Sequence, residues 1–308
     1  MSKKFSKPGI KGKKNRQSIF TIVKEAELFP FLIETIKDKT RTKLKAMLTH
    51  QQIKVGKEII TQHNHPLKIE DKVTVSWDGP FKKENYDGIK IVFEDDDIIV
   101  INKRSGLLSV GSEKEKKQTA YRMVTSHIQN DNPVARLFVV HRLDREASGL
   151  MVFTKNKNAQ EDLKASWVKT HPKNVYLAVT EGTIEKDEDT IISYLRESKA
   201  LIVHSSKNPK EGKKAVTHYK VIKKNEFYTL LEAWQETTLK NQLRAQLKSI
   251  GHPVIGDKKY EAKTNPIQRA ALHLRKITFI HPVTLQEITF ETKVPEDFLM
   301  LFRQRYYK

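Results

Sequence analysis

Residues 141–150, His141-Arg142-Leu143-Asp144-Arg145-Glu146-Ala147-Ser148-Gly149-Leu150, stand between two apolar runs, Leu137-Phe138-Val139-Val140 and Leu150-Met151-Val152-Phe153. Both runs have the length and composition of strands, so the polar stretch between them is predicted to be a loop held by a rigid sheet, a usual position for a working side chain. Asp144 lies between Arg142 and Arg145. Guanidinium neighbours favour the carboxylate form. Taken alone, such an acid suits a structural ion pair as well as a reacting group.

Further strand-like runs lie on either side, at Ile98-Ile99-Val100-Ile101 and Val175-Tyr176-Leu177-Ala178-Val179. Residues 158–169 read as a helix, with Ala159, Leu163 and Trp167 four positions apart. Residues 215–222 and 227–234 flank Lys223-Lys224-Asn225-Glu226 as a hairpin would, and residues 276–280 and 287–291 flank His281-Pro282. Hairpins interspersed with helices predict an α+β fold with a mixed, largely antiparallel sheet and not a regular βαβ series.

The front of the chain has a different pattern. Residues 1–17 hold seven basic side chains (Lys3, Lys4, Lys7, Lys11, Lys13, Lys14, Arg16) and no acid, which predicts a flexible basic arm over residues 1–20. A small domain follows over residues 21–80. Leu28, Phe29, Phe31, Leu32 and Ile36 mark one short helix, and residues 41–48 a second, with Leu44, Met47 and Leu48 on one face and Arg41, Lys43 and Lys45 as its basic side chains. Gln52-Ile53-Lys54-Val55 and Lys72-Val73-Thr74-Val75-Ser76-Trp77 alternate as half-buried strands do. Asp78-Gly79-Pro80 and the polar stretch after it predict a linker at 81–90 and a second, larger domain at 91–308.

Composition narrows the classes. At 308 residues, 38% hydrophobic and 31% charged, the chain is long enough for about two packed domains. No apolar run reaches the length of a membrane span and the lysine-rich start has no apolar stretch behind it, so a cytoplasmic protein without a secretory signal is expected. The absence of cysteine excludes disulfides, thiolate metal sites, iron–sulfur clusters and cysteine nucleophiles. The net charge of +20 points to a polyanionic partner, with a lysine-rich solubilising surface as the plainer alternative. Density is highest at the front, where the first 80 residues carry 17 basic and 8 acidic side chains. His63-Asn64-His65 lacks the carboxylate or cysteine that would complete a metal set, and no phosphate-binding or dinucleotide glycine pattern occurs. Neither metal nor cofactor is expected.

The pattern H-R-L-D-x-x-x-S-G-L at 141–150 resembles the signature of the RluA-type pseudouridine synthases. Other segments are similar to that family in the same order: Ile101-Asn102-Lys103-Arg104-Ser105-Gly106-Leu107, Tyr176-Leu177-Ala178-Val179-Thr180-Glu181-Gly182, Asn241-Gln242-Leu243-Arg244, Gly251-His252-Pro253-Val254-Ile255-Gly256-Asp257, and Leu272-His273-Leu274 with Phe279-Ile280-His281-Pro282. Residues 21–80 resemble the S4 RNA-binding domain, in which basic side chains at the start of the second helix meet phosphates.

The resemblance implies a pseudouridine synthase fold and an isomerase that converts uridine to pseudouridine in RNA without metal, redox partner or energy donor. It implies Asp144 as the catalytic acid at the ribose, acting as nucleophile or base, and Tyr176 against the uracil. Arg244 is expected to form a fork with Asp144. Arg142 is expected to fill the stack left by an everted base, and Arg41, Lys43, Lys45, Lys240 and Gln242 to contact RNA. Ribosomal RNA of the large subunit is the favoured substrate, with transfer RNA as an alternative and a monomer as the expected state. This chain carries Arg104 where the family customarily has proline and Ala147 where it has threonine. It also has Thr238-Leu239-Lys240-Asn241-Gln242-Leu243-Arg244 where the family commonly writes G-R-T-H-Q-I-R. Asp144, Tyr176 and Arg244 are spared, so activity is expected, with an altered RNA approach near Lys240. The rival reading is an inactive RNA-binding protein on the same scaffold.

Overall fold

A computed structural model describes residues 16–56, 58–81, 86–113, 115–170 and 174–303. The chain divides into two compact units, Met1–Asn85 and Tyr86–Lys308, and the division falls inside the expected linker. Residues 1–15 of the expected arm, residues 82–85 of the linker and the side chain of Trp167 lie outside what is described.

The first unit runs β1 (Gln17–Thr21), β2 (Ala26–Glu27), α1 (Leu28–Thr35), α2 (Arg41–Thr49), β3 (Ile53–Val55), β4 (Glu58–Ile59), β5 (Pro66–Leu67) and β6 (Lys72–Ser76). Its four-stranded sheet has the order β1-β6-β3-β4, and β2 pairs with β5. Thr40 starts α2 by accepting the Lys43 N–H on its hydroxyl. The 3- and 4-residue spacing of Leu44, Met47 and Leu48 then buries one stripe against Leu28, Leu32, Ile53, Val73 and Val75. Arg41, Lys43 and Lys45 remain exposed on that helix. Residues 17–20, expected to end the basic arm, instead belong to β1, aligned with β6 from Gln17↔Ser76 to Thr21↔Lys72. The charge run ends at Arg16, and Ile19, Phe20 and Thr21 suit an extended chain.

The second unit contains β7 (Ile89–Glu94), β8 (Ile98–Lys103), α3 (Ala120–Asp131), β9 (Phe138–Val139), β10 (Ser148–Thr154), α4 (Lys157–Thr170), β11 (Val175–Glu181), β12 (Glu188–Glu197), β13 (Val203–Ser206), β14 (Lys213–Lys224), β15 (Tyr228–Gln235), α5 (Gln242–Ser249), β16 (Leu272–Ile280), β17 (Glu287–Glu291) and α6 (Glu296–Met300). An eleven-stranded sheet has the order β13-β12-β14-β15-β11-β16-β10-β8-β7, with β17 on β16 and β9 on β10. The pairing of β10 with β16 is parallel and the other described pairings are antiparallel. The expected α+β class and both hairpins are therefore present. Strand β7, the β12–β13 pair and α3 were not anticipated, because strands such as Glu188–Glu197 mix charged and apolar residues without a clean alternation.

Strand β10 is buried along its whole length. Leu150 and Val152 join the main core with Leu163, Leu177 and Leu274, while Met151 and Phe153 face Ala120, Val124 and Ile128 of α3. Gly149 makes the parallel junction possible. At φ 119° a β-carbon there would lie 2.3 Å from the Leu274 carbonyl oxygen, so only glycine lets β10 lie this close to β16. The row Gly149–Leu274–Tyr176 across β10, β16 and β11 places the start of β10 two strands from Tyr176.

Two imidazoles are locked into this body. Nε2 of His141 accepts the Val152 N–H at 3.1 Å, and His273 lies between the hydroxyls of Ser148 and Thr292 at 2.8 and 2.7 Å. Burial pushes His141 down to about 4, and burial followed by the Arg269 charge does the same to His273. In the unfolded chain both protonate near an ordinary pKa of about 6.5. Each ring's contribution to stability is thus intact above pH about 6.5 and is lost as pH falls toward 4. Thermal unfolding midpoints measured across that window are expected to fall with acidification, and a His273→Gln variant to show a shallower fall.

Candidate active site

The loop before β10 is tied down from the segment after β8. Lys103 is fully buried, and its ammonium donates to the carbonyls of Arg104, Leu107 and Ala147 at 2.9, 2.8 and 2.7 Å. All three N–H groups are used. Burial lowers Lys103 to about 8, against the opposing charges of Glu146 and Asp144. The Ser109 hydroxyl accepts the Leu143 N–H and donates to the Leu143 carbonyl, and Gly106 exchanges bonds with the Arg145 carbonyl and guanidinium. The segment 101–107 singled out in the sequence is thus the cradle of the 141–147 loop.

Asp144 sits on that loop with its side chain 34% exposed. Its Oδ2 accepts from Nη1 of Arg244 at 2.8 Å and from the side-chain amide of Asn241 at 2.9 Å. Arg244, on α5, is buried. Its Nε and Nη2 form a two-bond fork with Asp257 at 2.6 and 2.7 Å, and its guanidinium lies 5.0 Å from the Tyr260 ring centroid. The fork expected on Asp144 is therefore on Asp257, and the remaining nitrogen, Nη1, goes to Asp144, with Glu146 at 3.5 Å. Asp257 is just 1% exposed and offers both oxygens edge-on, which suits the planar fork. Burial opposes the Arg244 charge, but the bonds and charges of Asp257 and Asp144 outweigh it and raise its pKa further.

Tyr176 is half-buried on β11. Burial, and then the negative charge of Asp144, push its phenol well above the ordinary range, so it is protonated at neutral pH. Arg142 and Lys240 are exposed, the latter ion-paired with Glu197. Gln242 departs from expectation. Only 2% exposed, it accepts from Thr237 and Leu239 and donates to Val216 and Thr217, so its amide clamps the start of α5 to β14 and does not face RNA. Gln246 repeats this one turn later, bonding Ile191, Ser193 and Ala215. Sequence reasoning assigned no role to Asp257, although it ends a quoted segment, and met Asn241 only as a missing histidine. Arg41, Lys43 and Lys45 of α2 belong to the other unit.

Among the described residues, Asp95, Asp97 and His281 bring ligand-type atoms within 4.8 Å of one another. Nδ1 of His281 accepts from the N–H groups of Val283 and Thr284, so the proton is on Nε2, which donates to Asp95 at 3.0 Å. Asp95 also accepts from the N–H groups of Asp97 and Ile98. These bonds form a staple between the β7–β8 and β16–β17 turns.

A partly exposed loop carboxylate anchored by a buried arginine thus stands on a large mixed sheet. Residues 97–249 match the family described as RNA pseudouridylate synthase. The chain belongs to the RNA pseudouridine synthase family, of the RluA type, and is an isomerase. It is 32% identical over 282 residues to the RNA pseudouridine synthase YlyB of Bacillus subtilis, covering 89% of this chain and 92% of that one. It is 29% identical over 297 residues to the ribosomal large subunit pseudouridine synthase D of Haemophilus influenzae, covering 90% and 88%. The fold is shared with the human RNA pseudouridylate synthase domain containing 4, at TM-score 0.57 and 21% identity over 68% of this chain and 90% of that one.

Removing one partner of a buried ion pair strands the other charge, at a cost of about 3–5 kcal/mol. Asp257→Ala is expected to destabilise the second unit by about that amount in denaturant unfolding, because Arg244 is left buried with Asp144 as its nearest acid.

Proposed function

We propose that this chain isomerises specific uridines of large-subunit ribosomal RNA, with Asp144, Tyr176 and Arg244 as the residues that carry the reaction. The reaction breaks the N1–C1′ bond, turns the uracil and joins C5 to C1′; the proton lost from C5 is balanced by one gained at N1. A single carboxylate suffices at the ribose, and Asp144 acts there as nucleophile at C1′ or as base. The observation that carries this reading is that Asp144 is anchored through one oxygen and still a third exposed. Arg244 has no solvent face from which to meet RNA, and its part is to hold Asp144. Tyr176 offers its ring as a stacking surface, and its hydroxyl is suited to pass on the C5 proton directly or through a water.

Arg142, exposed on the same loop, is suited to fill the vacated stack when the base is everted. Lys240 adds charge beside Asn241, and the first unit, read as S4-like, meets phosphates through Arg41, Lys43 and Lys45. The net charge of +20 fits a ribosomal substrate, and the reading assigns the chain to the cytoplasm as a monomer. The relative in Haemophilus influenzae, named for the large ribosomal subunit, supports ribosomal over transfer RNA.

Pseudouridine maps of total RNA from cells lacking this chain are expected to lose defined positions in large-subunit ribosomal RNA. The wild-type chain should restore them and Asp144→Asn should not. Restoration by Asp144→Asn would remove Asp144 from the reaction, and losses confined to transfer RNA would move the substrate there. Replacing Arg41, Lys43 and Lys45 together by alanine should weaken RNA binding at every sequence tested. The slope of log affinity against log salt should drop by about one per lost phosphate contact. An unchanged slope would free this helix of RNA.

A further inference from the structure

The two oxygens of Asp144 are not equivalent. Oδ2 accepts from both Arg244 and Asn241, at 2.8 and 2.9 Å, whereas Oδ1 accepts from none of the described residues. An arginine nitrogen alone would let the carboxylate turn about its terminal bond and exchange its oxygens. A second donor on the same oxygen, coming from a different residue, removes that freedom.

Asn241 is built for this contact. It immediately precedes α5 with φ 52° and ψ 22°, a left-handed conformation that asparagine tolerates better than most side chains. Its carbonyl accepts the Ala245 N–H at 3.0 Å, while its side chain makes no cap bond and turns to Asp144 instead. It is 8% exposed, and only its NH2 end is able to face a carboxylate oxygen.

We propose that Asn241 is a positioning residue that, with Arg244, saturates Oδ2 of Asp144 and so presents Oδ1 as the atom that meets the ribose. This rests on the assignment of Asp144 as the catalytic carboxylate. An amide brings a donor without a charge. A further cation would draw electron density from the reacting oxygen, and an imidazole would make that draw depend on pH. The charged and titratable groups around Asp144 are Arg244, Glu146, Lys103 and Tyr176, with Asp257 and Tyr260 behind Arg244. Asn241 adds a strong, non-titrating bond to this set.

The test is single-turnover pseudouridine formation at saturating enzyme, on total RNA from cells lacking the chain. Asn241→Gly removes the amide while suiting the left-handed backbone. Its rate should fall about 10- to 100-fold, the usual weight of a hydrogen bond to a charged group, with RNA affinity and thermal midpoint near wild type. Asn241→Asp keeps the size but replaces the donor with a second acid, and should fall further. Asn241→His should recover part of the rate lost in Asn241→Gly and add an ionisation in the histidine range to the pH–rate profile, which a purely structural role would not produce. Asn241→Gly turning over at the wild-type rate, or a histidine variant whose profile superimposes on wild type, would overturn the proposal. Failure of the underlying assignment has a different signature: turnover by Asp144→Asn in the same assay.

Discussion

The buried guanidinium of Arg244 is the constraint on which the site depends. A charge this far from water is tolerable only when its donors are matched, and they go chiefly to two acids of unlike setting, with Glu146 a more distant third at 3.5 Å. Asp257 lies in the interior and takes the fork; Asp144 lies at the surface and takes the single remaining nitrogen. The 141–147 loop, about a hundred residues upstream, is held to α5 and the nearby turn at residue 257 by one side chain. The arrangement anchors Asp144 through one oxygen and leaves its side chain 34% exposed.

Around that anchor the buried side chains of Lys103, Gln242 and Gln246 are all hydrogen-bonded. Lys103 spends its three protons on carbonyls at both ends of the loop cradle, and Gln242 and Gln246 bond α5 to the strands beneath it. These groups are costly to bury, and each is matched. Rigidity at the base of the loop follows from this matching, and it holds the Asp144 carboxylate in a defined orientation. Burial and the Asp144 charge both raise the Tyr176 phenol, so it brings no competing negative charge to that carboxylate.

The two units close around separate cores, the first on α1, α2 and a four-stranded sheet, the second on the eleven-stranded sheet. Basic side chains are spread over both, so the charge that would draw in an RNA does not depend on the site chemistry. In the proposed reading this is a division of labour: exposed lysines and arginines meet phosphates, and the loop and Tyr176 meet one nucleoside.

Much was legible in the chain itself. The apolar runs bracketing residues 141–150, the two hairpins and the stripe of Leu44, Met47 and Leu48 follow from local periodicity, because a strand or helix must repeat its apolar residues at a fixed interval to bury one face. The ordered motifs identified the family and singled out Asp144, Tyr176 and Arg244 as candidates. What the chain could not display was which polar groups would face each other. Arg244 could have met either acid, Gln242 had the composition of an RNA contact, and residues 17–20 appeared to continue a charge run. The first two outcomes depend on the depth at which α5 packs and on the left-handed turn at Asn241, and the third on the pairing of β1 with β6. Hydrogen bonds between residues about a hundred positions apart are decided by such packing, since direction and burial are properties of the assembled sheet and helices and leave no periodic trace in the sequence.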